Sequence, residues 1–360
     1  MNNCLEVTGA NSNYPVNIGT GMLANFARSM GARNSYRQVV LVTDQTVYKL
    51  YGQILEHQLQ ADQLVVHVVQ DGEVSKTWNA VLKLLDILAE NSVHRDALLI
   101  ALGGGVIGDM AGFVASIYQR GIDFVQVPTT LLAQVDSSVG GKVGINHRLG
   151  KNLIGSFYHP TAVWADLETL LTLDDRDWRA GMAEVVKYAV IRDREMFRYI
   201  QEHIEAILAR DLSIVEYLVG RCIAIKAAIV AEDEREQETR MLLNYGHTVG
   251  HALESLSGYT HYRHGEAVAV GMVTEAILAR NLGYCSNSLV QELQQLLLGL
   301  GLEITVPVVF EPGQLVNKMR LDKKVRNGEL VFALPLEIGN VQIVSGVQEA
   351  AVSESLEAAK

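Results

Sequence analysis

The chain has 360 residues, 49% of them hydrophobic and 20% charged, and a mean hydropathy of +0.14; at roughly 100–200 residues per domain this allows two domains with ample cores. A formal net charge of −11, with a pI near 5.4 and no segregated basic arm, argues against a nucleic-acid partner and means that any anionic ligand must be met by locally gathered lysine and arginine. Cys4, Cys222 and Cys285 form neither a CxxC pair nor a disulfide framework, and the start MNNCLEVTGANSNYPVNIGTG lacks the basic and apolar runs of a leader, so a cytoplasmic setting is expected.

In chain order, Gln38–Thr43 (QVVLVT) and Leu64–Val69 (LVVHVV) are short β-branched runs that predict strands. Trp78–Glu90 carries Val81, Leu82, Leu85 and Leu88 at helical spacing. Ala97–Leu102 (ALLIAL) predicts a buried strand leading into glycines and a helix, and Ile122–Val127 another strand ending at Pro128. The most membrane-like stretch, Ala97–Tyr118, contains Asp109 and five glycines, so no membrane span is expected, since one needs about 20 mostly apolar residues. Beyond Asp166 helical periods dominate: Trp178–Val190, Glu195–Leu208, Ile214–Ala231, Leu242–Leu256, Glu266–Leu282 and Ser288–Leu298. Strand patterns return at Leu330–Leu334 and Val341–Val344. The expectation is an α/β N-terminal domain with a mostly parallel sheet over residues 1–165, followed by a mainly α-helical C-terminal domain over 166–360.

Gly103, Gly105 and Gly108 satisfy GxGxxG between a predicted strand and helix, a spacing that lets backbone amides approach a pyrophosphate. The usual downstream acid is missing, because Asp123 begins the next strand instead of ending it. Asp44, at the carboxyl end of the first strand, is the better ribose partner in a doubly wound sheet. The alternative is that these glycines serve only close strand–helix packing.

His247 and His251 stand four apart, a spacing that places two imidazoles on one helical face as metal ligands. His264 opens the next helical run, and Glu184 interrupts an apolar helix face, where a buried carboxylate needs a partner. Packed or surface side chains are the alternative. Lys142, Lys151, Lys187, Lys226, Arg240, Lys323 and Lys324 lie beside glycines, asparagine or apolar helix positions and suggest a convergent anion site; solvated surface charge is the plainer reading.

Nine ordered motifs resemble the 3-dehydroquinate synthase family across nearly the whole chain. They are DGEVSKT (Asp71–Thr77), GGGVIGD (Gly103–Asp109), YQRGI (Tyr118–Ile122), PTTLLAQVDSSVGGKVGIN (Pro128–Asn146), GKNLIGSFYHP (Gly150–Pro160), GMAEVVKYA (Gly181–Ala189), RMLLNYGHTVGHALE (Arg240–Glu254), HGEAVAVGM (His264–Met272) and DKK (Asp322–Lys324). The resemblance implies a homodimer that uses NAD and one divalent metal, zinc or cobalt. It assigns the metal to Glu184, His247 and His264, and moves His251 and Asn244 to the substrate's phosphate. Lys142, Asn152, Lys187, Lys226, Arg240 and Lys323 or Lys324 are implied substrate contacts, with Lys142, Lys187, Lys226, Arg240, Asn244 and His251 catalytic. Arg120 is implied to reach the neighbouring subunit's site. Implied NAD contacts are Asp44; Asp71, Gly72, Glu73, Val74, Ser75 and Lys76; Gly105, Val106, Ile107, Gly108 and Asp109; Thr129, Thr130, Lys142 and Lys151; and Thr169, Leu170, Leu171 and Thr172.

The implied reaction is a carbon–oxygen lyase step on an anionic sugar phosphate, 3-deoxy-D-arabino-heptulosonate 7-phosphate. Transient oxidation by NAD, phosphate elimination, re-reduction and an intramolecular aldol closure give 3-dehydroquinate. Other sugar phosphate cyclases, of the 2-deoxy-scyllo-inosose or epi-valiolone synthase type, are the nearest alternative. A metal-dependent alcohol dehydrogenase or a non-catalytic NAD-binding regulator stands further off.

Overall fold

Consecutive residues of the predicted strands turn to opposite faces of one sheet. Val39 and Leu41 enter one apolar cluster while Val40 and Val42 enter another, and Leu98, Ile100 and Leu102 alternate in the same way with Leu99 and Ala101. A period of two with both faces apolar is the signature of a sheet covered on each side. The computed structural model describes residues 3–9, 13–30, 36–59, 61–259, 261–320 and 329–360. The chain divides into two units, Met1–Leu173 and Asp174–Lys360.

The first unit runs β1 (Asn3–Thr8), β2 (Asn13–Gly19), α1 (Phe26–Met30), β3 (Gln38–Asp44), α2 (Gln45–Val47), α3 (Gln53–Glu56), β4 (Gln63–Val69), α4 (Trp78–Glu90), β5 (Leu98–Gly103), α5 (Gly105–Ile117), β6 (Asp123–Pro128), β7 (Lys142–His147), β8 (Gly150–Phe157) and β9 (Ala162–Asp166). Its main sheet has the order β1-β2-β9-β6-β5-β3-β4 and is parallel apart from the β1–β2 pair. From β3 the chain winds outward to β4, then returns across β3 to β5 and winds the other way through β6 to β9. The winding therefore reverses between β3 and β5, and the carboxyl ends of those two strands flank the switch point where such sheets take ligands. A separate antiparallel hairpin, β7–β8, packs on α5, with Ser156 Oγ donating to Ser116 Oγ at 2.7 Å. A 3-10 segment, Leu167–Thr172, closes the unit; Asp166 anchors its start by accepting from the amides of Gly21, Leu23 and Glu168.

The second unit contains α6 (Asp175–Arg192), α7 (Arg194–Glu202), α8 (Ile204–Leu208), α9 (Leu212–Glu232), α10 (His247–Leu256), α11 (His264–Asn281), α12 (Asn287–Gly299), α13 (Pro312–Arg320), the hairpin β10 (Val331–Glu337) and β11 (Asn340–Ser345), and α14 (Glu349–Ala358). Two predicted helices differ from the observed ones. The Glu195–Leu208 period is broken at His203 into α7 and α8. The Leu242–Leu256 period starts as a 3-10 turn, Thr239–Asn244, and becomes α10 only after Gly246, whose φ of 78° interrupts the right-handed path.

α6 and α11 are buried nearly all round, as central helices must be. Two glycines let α11 press against its neighbours: a Cβ on Gly265 would lie 1.8 Å from the Ala180 carbonyl oxygen of α6, and one on Gly271 would lie 1.9 Å from the Gly246 carbonyl oxygen. Those two contacts fix where α6, α10 and α11 meet. Among the described residues no helix is long and apolar enough to cross a membrane.

Candidate functional site

The contacts at Gly265 and Gly271 bring three side chains together in the second unit. Glu184 lies one turn past Ala180 on α6, His264 precedes Gly265, and His247 follows Gly246. Glu184 is fully buried. Its Oε1 stands 3.5 Å from His247 Nε2 and 3.4 Å from His264 Nε2. These separations are long for hydrogen bonds but match the spacing between two ligands of a tetrahedral cation, about 3.4 Å for bonds of about 2.1 Å. One ligand atom from each of the three residues lies within 4.8 Å of the others. His251, Glu254 and His264 form a second such group, but among the described residues no group holds both His247 and His251. The i, i+4 spacing therefore does not translate into a shared ligand set.

Both imidazoles are held through their far nitrogens. His247 Nδ1 lies 3.0 Å from the Tyr245 carbonyl oxygen, and His264 Nδ1 lies 3.3 Å from Glu254 Oε2. Burial pushes the His264 pKa down, but Glu254 and Glu184 beside it outweigh burial and raise it from 6.5 to about 10. A spot that retains a proton so firmly has the negative potential a cation needs. The residues thus fit a divalent metal: one carboxylate and two imidazoles are a usual donor set, and three donors leave a tetrahedral cation one position for another ligand.

α10 is itself anchored by a buried acid. Its N-cap is Gly246, which has no side chain to cap with, and Glu275 from α11 accepts instead from the amides of Gly246 (2.7 Å) and Val249 (3.3 Å). A carboxylate at a helix N-terminus meets unpaired amides and the positive end of the dipole, which offsets its burial.

Cations gather in the same unit. Lys187 is buried and ion-pairs with Glu184 Oε2 one turn back on α6. Lys226 on α9 is also buried, as is Arg240, whose Nη1 donates to the Glu234 carbonyl at 2.5 Å. The Arg240 amide donates to Asp233, and Asn244 Nδ2 donates to Glu236 Oε1 at 3.0 Å. Buried lysine and arginine are costly without compensation, so plain surface charge does not describe these three residues. His251 lies on α10, its ring 5.5 Å from that of His247 and 5.9 Å from that of His264. Lys323 and Lys324 lie outside the described residues.

In the first unit, Asp44 ends β3 and Gly103 ends the adjacent β5, so both border the switch point. Gly104 N-caps α5 without a side-chain cap, leaving the helix's first amides to a ligand. Gly103 and Gly108 serve packing as well: added Cβ atoms would lie 2.7 Å from Ile107 Cγ1 and 2.6 Å from Gln126 Oε1. Asp71 accepts from the amide and hydroxyl of Thr46, tying the loop after β4 to the end of β3. Gly72 leads the short turn Glu73–Ser75, in which Val74 is exposed. Lys76 is buried, its Nζ 2.5 Å from Asp109 Oδ2 and 2.6 Å from Asn152 Oδ1, so it joins the Asp71–Lys76 loop to α5 and to β8.

Val106 and Ile107 fall in the first turn of α5, and Thr129 and Thr130 follow β6. The hydroxyls of Thr43 and Thr129, at the ends of β3 and β6, are buried with no hydrogen-bond partner among the described residues. An open helix N-terminus with buried unpaired hydroxyls beside it fits a polar dinucleotide such as NAD. Lys142 opens β7 and Lys151 follows the β7–β8 turn. Thr169, Leu170, Leu171 and Thr172 form the closing 3-10 segment, where Thr172 Oγ1 pairs with the Tyr51 hydroxyl at 2.6 Å. Arg120 lies exposed just after α5 with φ 65°.

Sequence reasoning gave no role to Glu254, Glu275 or Glu236. The available signal was the same one that exposed Glu184, an acid inside an otherwise apolar helix, and it applies to Glu254 and Glu275.

Comparison with known proteins decides between the cyclases. Residues 45–180 match 3-dehydroquinate synthase N-terminal and residues 181–325 match 3-dehydroquinate synthase C-terminal. The chain belongs to the 3-dehydroquinate synthase family. It is 45% identical over 348 residues to 3-dehydroquinate synthase of Desulforamulus reducens, covering 96% of this chain and 97% of that protein. It is 44% identical to the enzyme of Shewanella halifaxensis, with 96% of each covered. Among solved structures, 2-deoxy-scyllo-inosose synthase complexed with carbaglucose-6-phosphate, NAD+ and Co2+ superposes with a TM-score of 0.89 at 25% identity, covering 99% of this chain and 100% of that one. The 2-epi-5-epi-valiolone synthase of Streptomyces hygroscopicus subsp. jinggangensis, with NAD+ and Zn2+ bound, gives 0.88 at 26%, covering 98% of each. The glycerol dehydrogenase of Schizosaccharomyces pombe, at 15% identity, TM-score 0.69, and coverage of 96% of this chain and 88% of that one, shares the fold alone. The other cyclases are thus relatives at much lower identity, and the family's activity, a carbon–oxygen lyase acting on a sugar phosphate, is the one this chain carries.

Proposed function

We propose that this chain converts 3-deoxy-D-arabino-heptulosonate 7-phosphate to 3-dehydroquinate and phosphate, with NAD bound by the first unit and a zinc or cobalt ion held by Glu184, His247 and His264. The observation that carries the reading is that both imidazole Nε2 atoms point at one oxygen of a fully buried carboxylate. When bound, NAD supplies reversible hydride transfer and the divalent metal supplies Lewis acidity toward the substrate's hydroxyls. The chain's own residues do the remaining work.

In the first unit the amides opening α5 take the pyrophosphate, Asp44 takes a ribose, and the Asp71–Lys76 loop and Lys151 complete the cofactor's surroundings. Thr129, Thr130 and the backbone of Thr169–Thr172 belong to the same surroundings. Toward the substrate, Lys187, Lys226 and Arg240 offer buried positive charge, and Asn244 and His251 offer hydrogen bonds to the phosphate. Lys142 and Asn152 hold hydroxyls and carboxylate. Fixed cations and amides stabilise the phosphate as its charge grows on leaving, which is where prearranged electrostatics contributes most. No separate general base is required, because the substrate's own phosphate can accept the proton that the elimination releases.

The test is to incubate the protein with the heptulosonate phosphate, NAD+ and zinc and to identify the products. Equimolar phosphate and 3-dehydroquinate are expected with no accumulated NADH; chelation should stop turnover, and zinc or cobalt should restore it. A different carbocycle would reassign the substrate, and full activity in a verified metal-free sample would remove the metal.

The active form is a homodimer in which Arg120 completes the neighbouring subunit's phosphate site. Trp78 and Leu82 on α4, Ile117 on α5, and Leu153 and Phe157 on β8 are all exposed, on elements that pack together beside Arg120. Exposed apolar side chains so grouped favour a protein partner, here a second copy of the chain. Arg120→Ala and Lys187→Ala should each be inactive alone. Mixed and reassociated, they should recover about a quarter of wild-type activity, because half the dimers are mixed and each mixed dimer has one intact site. No recovery on mixing would place Arg120 within its own subunit's site.

A further inference from the structure

We infer that Glu254 is a positioning residue: by accepting the Nδ1 proton of His264 it fixes that ring's tautomer and turns Nε2 toward Glu184. The inference rests on the cation reading of Glu184, His247 and His264. Glu254 lies on α10, 2% exposed, and His264 is the first residue of α11. An ionised carboxylate can only accept, so the proton between Oε2 and Nδ1 belongs to the ring. When a cation takes the place of the proton that Nε2 otherwise carries, the Nε2 lone pair is directed at it from the side where Glu184 Oε1 lies 3.4 Å away.

His247 repeats the arrangement with a different acceptor. Its Nδ1 faces the Tyr245 carbonyl, and its Nε2 faces the same Glu184 oxygen. Two rings on two helices are thus turned the same way by acceptors behind them, one neutral and one charged. The charged acceptor makes its ring the more basic ligand, so His264 should be the stronger nitrogen donor of the pair. The exchange between the helices is reciprocal, since Glu275 of α11 holds the amides that open α10 while Glu254 of α10 holds the side chain that opens α11.

His251, Glu254 and His264 also lie close enough to hold an ion themselves, which would make Glu254 a ligand instead. Cobalt distinguishes the two roles, because ion count, affinity and the visible absorption of Co2+ are read without turnover. Wild type, Glu254→Gln and Glu254→Ala are each titrated with Co2+ against a chelator, with His264→Ala alongside. One ion per chain is expected in wild type and in both Glu254 variants. Affinity should fall roughly 10–100-fold in Glu254→Ala, with a shifted absorption band, and less in Glu254→Gln, whose amide oxygen still accepts the Nδ1 proton. Wild-type affinity and spectrum in Glu254→Ala overturn the inference, as do two ions in wild type falling to one in Glu254→Ala. An unchanged His264→Ala would instead overturn the cation reading beneath it. If Glu254→Ala fails to fold, Glu254→Leu, which fills the space but offers no acceptor, carries the test: weaker Co2+ binding at unchanged stoichiometry supports the role and unaltered binding ends it.

Discussion

The two units build their sites from different materials. In the first, the candidate cofactor site is mainly backbone: amides at the start of α5, loops after β4 and β6, and a single acid at the end of β3. In the second the candidate metal site is made of side chains from α6, α10 and α11, and no two of its three proposed ligands lie on the same helix. A backbone site tolerates side-chain change but depends on local conformation. A side-chain site tolerates local change but depends on how closely the helices approach, and that approach is set at Gly265 and Gly271.

The contrast is broken most severely by Gly265→Ala. The new methyl would overlap the Ala180 carbonyl, which is backbone and cannot swing aside. A cost on the order of 3 kcal/mol is expected, at the upper end for an inserted methyl, together with displacement of His264 from Glu184. Co2+ uptake should be lost and the melting temperature lowered, while NAD+ binding by the first unit persists. Wild-type Co2+ affinity in this variant would show that the helix approach does not set the site. The matching change in the first unit is milder. Gly108→Ala meets Gln126 Oε1, the far end of a side chain that can adjust although buried. NAD+ affinity in a fluorescence titration should fall by about tenfold, corresponding to the lower part of the overpacking range, with Co2+ uptake unchanged. Equal damage to both ligands from either variant would erase the distinction.

The same difference governs what the sequence discloses. β3, β4, β5 and β6 are legible because their apolar runs are continuous, and GGGVIGD is legible because a backbone site must be written contiguously. β7 and β8 are not, since lysine, asparagine and glycine dilute their alternation, and only packing on α5 makes them strands. In the helical unit, burial on every side hides the amphipathic stripe that would have fixed the breaks at His203 and Gly246. The His247–His251 spacing is a local signal for a non-local object: geometry groups His247 with Glu184 and His264, and groups His251 with Glu254 and His264. Glu254 and Glu275 were within reach of physical reasoning, because a buried acid must be answered by something, but which helix answers cannot be read along one chain segment.

The smallest expected effect is a pH dependence confined to the first unit. Burial raises the Asp44 pKa above 3.8, and the charge of Asp71 beside it adds to that rise, while the Val47 amide opposes it. Asp71 moves the other way, held down chiefly by the Thr46 amide. A ribose hydroxyl bonds best to ionised Asp44, so NAD+ affinity should be full above its raised pKa and fall as pH drops through it, while an ordinary aspartate is still ionised. Its stability contribution has the opposite sign. A carboxyl whose folded pKa is raised binds its proton more tightly when folded, so it stabilises the fold at pH below its unfolded pKa and loses that contribution as pH rises through the folded value. Between about pH 4 and 7, NAD+ titrations of wild type should therefore weaken a few-fold on acidification while Asp44→Asn stays flat, weaker at neutral pH but insensitive to it. Parallel curves for the two proteins would remove Asp44 from the ribose and leave the switch point to the glycine turn alone.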